Sequence, residues 1–163
     1  RIFNIDLNKF KILIHPKSYV HAIVKFTNGL TKILVHDTNM QIPIFNSIYS
    51  EKTKKIKTKK LNISNLNNLN FINVDTKRYP SIKILKTIPK KISFYETVIV
   101  SANDELVDLF LEGKIIFQDI VKYLYKILQM KEFLKFKNRV PKKYEELIKL
   151  NNFVRLKIRS LCI

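Results

Sequence analysis

Residues 19–37, YVHAIVKFTNGLTKILVHD, decide how this chain is read. Apolar side chains alternate with polar ones on both sides of Thr27-Asn28-Gly29-Leu30. Asn28 and Gly29 both tolerate the positive φ of a type I′ turn, which makes the pair a strong hairpin signal. The reading is therefore two strands, near 19–27 and 30–36, joined by a tight turn. Just upstream, the apolar run ending at Ile14 adds a strand over 11–15.

Downstream of the hairpin the period changes. Ile42, Phe45 and Tyr49 fall on one side of a short helix whose first turn carries Pro43. Residues 51–60 then hold six lysines and residues 62–73 six asparagines, the latter interleaved with Leu61, Ile63, Leu66, Leu69 and Phe71. That interleaving predicts a packed connector with a solvated basic tip. After Tyr79-Pro80 the spacing of Ile82, Leu85 and Ile88 predicts a helix that stops at Pro89. Three more are predicted over 101–112, stopped by Gly113, over 118–130 and over 142–161. Four amphipathic helices in so short a stretch imply a small bundle. The predicted fold class is α+β: a partial mixed sheet with a β-hairpin, followed by a small C-terminal four-helix bundle. The predicted domains are 1–50 as the end of a sheet, 51–78 as connector and 79–163 as bundle.

Composition narrows the classes without choosing one. At 163 residues with 46% hydrophobic side chains, the chain has the length and apolar content of a folded domain. No apolar run reaches the roughly 18 residues of a membrane span, and nothing reads as a secretory leader, so no membrane partner is expected. The lone Cys162 has no intrachain partner, which fits a reducing compartment. A formal charge of +18 invites an anionic partner such as RNA. Lysine, asparagine and isoleucine are also the products of A/T-rich codons, and the lysines are spread along most of the chain. The charge alone therefore does not decide function.

The chemistry-bearing residues are sparse. His15, His21 and His36 are the only imidazoles, and no cysteine or carboxylate joins them at metal-ligand spacing. Two glycines cannot build a phosphate loop. Asn103 and Asp104 are expected to cap one helix and Asp119 the next. The lysines of residues 52–60 lack interleaved aromatics, so they read first as a solvated loop and alternatively as a basic RNA-binding module.

A family resemblance runs through these same residues. Leu13-Ile14-His15-Pro16-Lys17-Ser18 resembles the His-Pro-Gln-Ser strand end of 1-deoxy-D-xylulose 5-phosphate reductoisomerases. Val20-His21 through Asn28-Gly29 is similar to the family's next strand and hairpin. Asn39-Met40-Gln41-Ile42-Pro43-Ile44 resembles its Asp-Met-Arg-x-Pro-Ile, and Leu61, Leu66, Leu69 and Phe71 match its connector. Tyr79-Pro80-Ser81-Ile82-Lys83 is similar to its Tyr-Pro-Cys-Leu-Lys. Ser101-Ala102-Asn103-Asp104 and residues 115–120 complete the series. Asn39, Gln41 and Asp104 depart from the family's Asp, Arg and Glu.

The resemblance implies the carboxy-terminal part of an enzyme that rearranges and reduces 1-deoxy-D-xylulose 5-phosphate to 2-C-methyl-D-erythritol 4-phosphate for non-mevalonate isoprenoid synthesis. It implies NADPH and a divalent metal, magnesium or manganese, in the complete enzyme, with none bound by this chain alone. It also implies that the metal-binding acids, phosphate-binding residues and nicotinamide site lie upstream of Arg1, leaving no catalytic residue here. His15 and Met40 are expected to wall the substrate pocket and to approach one concave surface. Dimerisation through the sheet, at an edge among residues 11–36, and a separate N-terminal polypeptide are the implied partnerships. A bacterial cytoplasm with an A/T-rich genome, or a plastid-type organelle, is the implied location.

Overall fold

The computed structural model describes residues 5–49, 54–67 and 69–162. It divides into two compact units: Lys11–Val74, and Arg1–Phe10 together with Asp75–Ile163.

In the first unit, strand β1 (Leu13–Ile14) is followed by β2 (Val20–Lys25), β3 (Thr31–Val35), helix α1 (Gln41–Ile48) and strand β4 (Ile72–Asn73). β1 pairs antiparallel with β4, placing Leu13 opposite Asn73 and Ile14 opposite Ile72. β2 pairs antiparallel with β3, from Val20 opposite Val35 to Lys25 opposite Thr31. Both pairs are antiparallel, so the mixed sheet expected from the sequence has no parallel pair among the described residues.

The hairpin stands where Asn28-Gly29 put it, but the turn is not type I′. Only Gly29 has positive φ, at 85°. The Gly29 N–H donates to Phe26 O at 3.1 Å and the Phe26 N–H to Leu30 O at 2.8 Å. This is the three-residue loop closed by a left-handed glycine. Asn28 stays out of the left-handed region and accepts the Leu30 N–H through Oδ1 at 3.1 Å.

No described residue of this unit is buried. Leu34 is 55% exposed, Ile44 55% and Ile48 67%. Among the described residues, the apolar alternation that built the hairpin has no buried core beneath it.

The second unit holds the core. A 3-10 turn over Pro80–Thr87 leads to helices α2 (Phe94–Leu111), α3 (Phe117–Gln129), α4 (Lys131–Leu134) and α5 (Tyr144–Cys162), with a 3-10 turn over Lys135–Asn138 before α5. α2 is central and packs against α3 and α5. Val98, Ala102, Leu106 and Leu109 of α2 meet Ile120, Leu124, Ile127 and Leu128 of α3, Phe133 of α4, and Leu150, Val154 and Ile158 of α5. Each large apolar side chain fully removed from water here contributes about 1.5 to 3 kcal/mol.

Two expectations of the sequence are corrected. The segment after Tyr79 is 3-10 rather than α, consistent with a spacing of three, which is the 3-10 period. Its buried residue is Ile84. Asn103 and Asp104 do not cap a helix, because α2 starts earlier. Ser93 Oγ accepts the Tyr95 N–H at 3.3 Å, and Glu96 Oε2 accepts the Ser93 N–H at 2.8 Å. That Ser-x-x-Glu capping box leaves Asn103 and Asp104 exposed within the helix. Asp119 does hold the start of α3, accepting the Ile116 N–H at 3.3 Å. At the end of α2, Gly113 adopts φ 72°. The Lys114 N–H returns to Leu109 O and the Gly113 N–H to Phe110 O, a Schellman closure.

Candidate functional site

His15 follows the last residue of β1, where Pro16 ends the strand. The chain turns back at once, with the Ser18 N–H on His15 O at 2.9 Å. Ser18 takes φ 55°, the left-handed region that a non-glycine residue adopts at a cost of roughly 1 to 2 kcal/mol. That turn brings the Tyr19 N–H to His15 Nδ1 at 3.1 Å. A nitrogen that accepts a backbone N–H carries no proton, so the geometry assigns the neutral ring's hydrogen to Nε2. The imidazole sits among aromatics, its centroid 5.8 Å from Phe71 and 6.5 Å from Tyr19. Asn65 Nδ2 reaches Tyr19 Oη at 3.5 Å.

A cavity of about 270 Å³ opens beside this ring. Its lining is His15, Pro16, Lys17, Asn65, Asn67 and Asn70. Among the described residues, no carboxylate lines it.

Met40 precedes α1 and is 62% exposed. It is not among the residues lining the His15 cavity. The loop around it carries the departures from the family motif. Asn39 Oδ1 accepts the Gln41 N–H at 2.9 Å, and Asn39 Nδ2 donates to Gln41 Oε1 at 3.3 Å. Where the family has an acid and a base flanking the methionine, this chain has an amide pair. The pair here is uncharged.

Sequence reasoning missed a second cavity, of about 640 Å³, between β3 and α1, lined by residues that include His36, Ile42 and Tyr49. Nor did it find the partner of His21. His21 lies at the register shift of β2 and stacks on His36, with centroids 3.6 Å apart and planes 6° from parallel. His36 Nδ1 faces the Asp37 carbonyl oxygen at 2.5 Å and so donates to it. A one-residue bulge is not readable from alternation alone, which is why this pairing was hidden.

Three acids in the first half of the chain are each engaged locally. Asp37 Oδ1 accepts the Thr38 N–H at 2.8 Å and Asp75 Oδ1 the Lys77 N–H at 2.8 Å. Asp6 Oδ1 accepts the Asn8 N–H at 2.9 Å. Among the described residues, no three His, Cys, Asp or Glu side chains gather where a metal ion would be held.

Comparison with known proteins places this arrangement. A chain from Pelagibacter ubique, named 1-deoxy-D-xylulose 5-phosphate reductoisomerase, is 55% identical over 163 residues, 100% of this chain and 42% of its own length. A Persephonella marina chain of the same name is 34% identical over 147 residues, 90% of this chain and 38% of its own. This chain thus spans well under half the length of these curated relatives. Among solved structures, the Zymomonas mobilis reductoisomerase in complex with NADPH superposes with a TM-score of 0.76 at 26% identity. The match covers 99% of this chain and 41% of that one. A second reductoisomerase structure, in complex with NADPH, fosmidomycin and magnesium, shares the fold at TM-score 0.86 and 20% identity. These matches overturn the RNA-binding alternative, whose Lys52 also lies outside the described residues. The family described as the DXP reductoisomerase C-terminal domain matches residues 36–157, well over half of the chain, and this chain belongs to it.

Proposed function

We propose that the chain acts as the C-terminal portion of an NADPH-dependent 1-deoxy-D-xylulose 5-phosphate reductoisomerase in a bacterial cytoplasm, and that it does not turn over substrate unaided. In this reading residues 1–50 end the catalytic domain, 51–78 connect and 79–163 form the helical domain. The carrying observation is that no described residue of Lys11–Val74 is buried, although that unit is rich in apolar side chains. Such a surface needs further polypeptide to cover it, and the curated relatives are more than twice as long.

The residues present do not fit either cofactor. Asp6, Asp37 and Asp75 are spent on separate backbone N–H groups and form no carboxylate cluster for a divalent metal. Gly29 and Gly113 each serve a single turn, so no glycine-rich loop is available for a dinucleotide. What the chain offers is walling: His15 presents an Nε2–H donor, and Met40 an exposed apolar side chain at the start of α1. The edges of the β2–β3 hairpin, unpaired among the described residues and with Val24 and Ile33 half exposed, suit a second copy adding to the sheet.

The test follows NADPH absorbance with purified chain, saturating 1-deoxy-D-xylulose 5-phosphate and magnesium or manganese. No oxidation above the no-enzyme control is expected, and activity should appear on adding the N-terminal polypeptide of a reductoisomerase. Metal-dependent oxidation by the chain alone would overturn the reading.

A further inference from the structure

We propose that Asn28 is a site of spontaneous backbone modification: the Gly29 nitrogen displaces the side-chain amide and water reopens the ring, leaving isoaspartate at the tip of the β2–β3 hairpin. The reaction requires no partner but water, and it is independent of the reductoisomerase reading.

Asn28-Gly29 is the single Asn-Gly pair of the chain. Three features of its turn favour the reaction. Asn28 Oδ1 accepts the Leu30 N–H at 3.1 Å, an Asx turn that folds the side-chain carbonyl back over the two residues that follow. Cγ is thereby held on the side of the Gly29 nitrogen, and the Leu30 N–H faces the oxygen on which negative charge collects when that nitrogen attacks. Gly29 brings no Cβ to obstruct the approach, and nothing stands within 4 Å of where one would be. Both residues are exposed, so hydroxide and water arrive freely.

One contact opposes it. The Gly29 N–H donates to Phe26 O at 3.1 Å, and that hydrogen must be released before the nitrogen attacks. Losing one neutral hydrogen bond slows the step by about tenfold at most. Among the described residues nothing is buried behind the hairpin to resist a local opening of its tip. The fold therefore leaves the site reactive.

The steps balance without oxidant or reductant. Hydroxide takes the Gly29 proton, the nitrogen bonds to Cγ, and the Cγ–Nδ2 bond breaks as the amide leaves, protonated by water, as ammonia. One water then opens the five-membered imide at either carbonyl. Opening at the Asn28 main-chain carbonyl reroutes the backbone through Cβ and Cγ, which is isoaspartate; opening at Cγ gives aspartate. Isoaspartate adds a methylene to the main chain inside a loop closed by the Gly29 N–H on Phe26 O and the Phe26 N–H on Leu30 O. The lengthened tip no longer matches that closure, and the β2–β3 ladder loosens from its turn end.

The experiment incubates the full chain at mildly alkaline pH and digests it with trypsin. Cleavage after Lys25 and Lys32 releases residues 26–32 with Asn28 as their one asparagine. The mass of an acid in place of an amide is expected there, with isoaspartate exceeding aspartate by backbone fragmentation. Asn46-Ser47, held in α1 with Asn46 Nδ2 on Ile42 O at 2.8 Å, should stay intact over the same interval. Gly29→Ala, which sets a Cβ beside the attacking nitrogen, should lose most of the product, both folded and in guanidinium. The folded chain should react within about tenfold of the same chain in guanidinium. Separated isoaspartate chains should exchange β2 and β3 amide hydrogens faster than fresh ones. The proposal is overturned by aspartate without isoaspartate, which is direct hydrolysis, by Asn46 matching Asn28, or by full yield from Gly29→Ala. A folded chain slower than that margin, or unchanged exchange in the isoaspartate form, overturns it equally.

Discussion

Arg155 reaches from α5 to Glu105 on α2, its Nη1 donating to Glu105 Oε2 at 2.7 Å. The same Nη1 holds Asp108 Oδ2 at 3.1 Å. Arg159, one turn on, pairs through Nε with the other Glu105 oxygen, without an aligned hydrogen bond, and through Nη2 with Glu112 at 3.2 Å. Glu105 is 1% exposed, so the two arginines are what make its charge tolerable inside the bundle.

The two halves of this clasp should respond unequally to mutation. Glu105→Met leaves each arginine a carboxylate at the surface, and a stability change within about 1 kcal/mol is expected. Changing Arg155 and Arg159 together to Met strands a buried carboxylate and should cost about 3 to 5 kcal/mol. Urea unfolding of both variants checks this, and equal losses would contradict it.

Tyr95 donates its hydroxyl to Leu128 O at 3.2 Å, tying α2 to the end of α3. Burial pushes its phenol above the ordinary tyrosine value, against a smaller downward pull from Thr87. A group raised in the folded state contributes stability that is whole below the unfolded value and is lost as pH rises through the folded one. Alkaline titration of tyrosinate absorbance should show a late component, absent from Tyr95→Phe, whose stability at neutral pH falls by about 1 kcal/mol.

Acid acts through different groups. Hydrogen bonds from Lys114, then Arg159, hold Glu112 below the usual carboxylate range. The backbone N–H groups of Lys142 and Lys143 do the same for Glu146. Both are depressed in the folded state, so their contributions are present above the unfolded value and fade as pH falls through the folded ones. Carboxyl-carbon NMR titration should find these two midpoints low, and Glu146→Gln should remove only the second.

Gly113 meets nothing within 4 Å where a Cβ would stand, so Gly113→Ala tests backbone conformation without a clash. At φ 72° an alanine is strained, and a loss of about 1 kcal/mol is expected. Ser93→Ala, at the other end of α2, should lose about as much through its cap. Thermal unfolding of both variants measures these losses.

Much of this was legible beforehand because the signals were local. Asn28-Gly29 marked the hairpin, Gly113 the end of α2 and Asp119 the start of α3. Ser93 and Glu96 also spelled a capping box, but Asn103 and Asp104, polar residues ahead of an apolar stripe, drew the helix start to the wrong place. Glu105 falls in the buried stripe of α2, one helical turn from Ala102 and Leu109. Its tolerance there depends on Arg155 and Arg159, some fifty residues away, and no local pattern shows that they face it. His15 was visible as a motif residue, whereas its ring state was not. The tautomer follows from Ser18 turning left, and nothing in the identity of a serine announces a positive φ. The stack of His21 on His36 was hidden for a related reason, since the bulge that allows it breaks the alternation on which strand reading depends.

The absence of buried residues among the described part of Lys11–Val74 bears on how the chain breathes. Amides on the inner faces of α2 and α5, shielded by Val98, Leu106, Val154 and Ile158, exchange with solvent deuterium only when the whole bundle opens. Amides of β2 and β3 have one ladder of hydrogen bonds and no core behind it, so they exchange through small local openings. The two units therefore keep separate clocks, and protection acquired by the hairpin alone would time the arrival of whatever covers it.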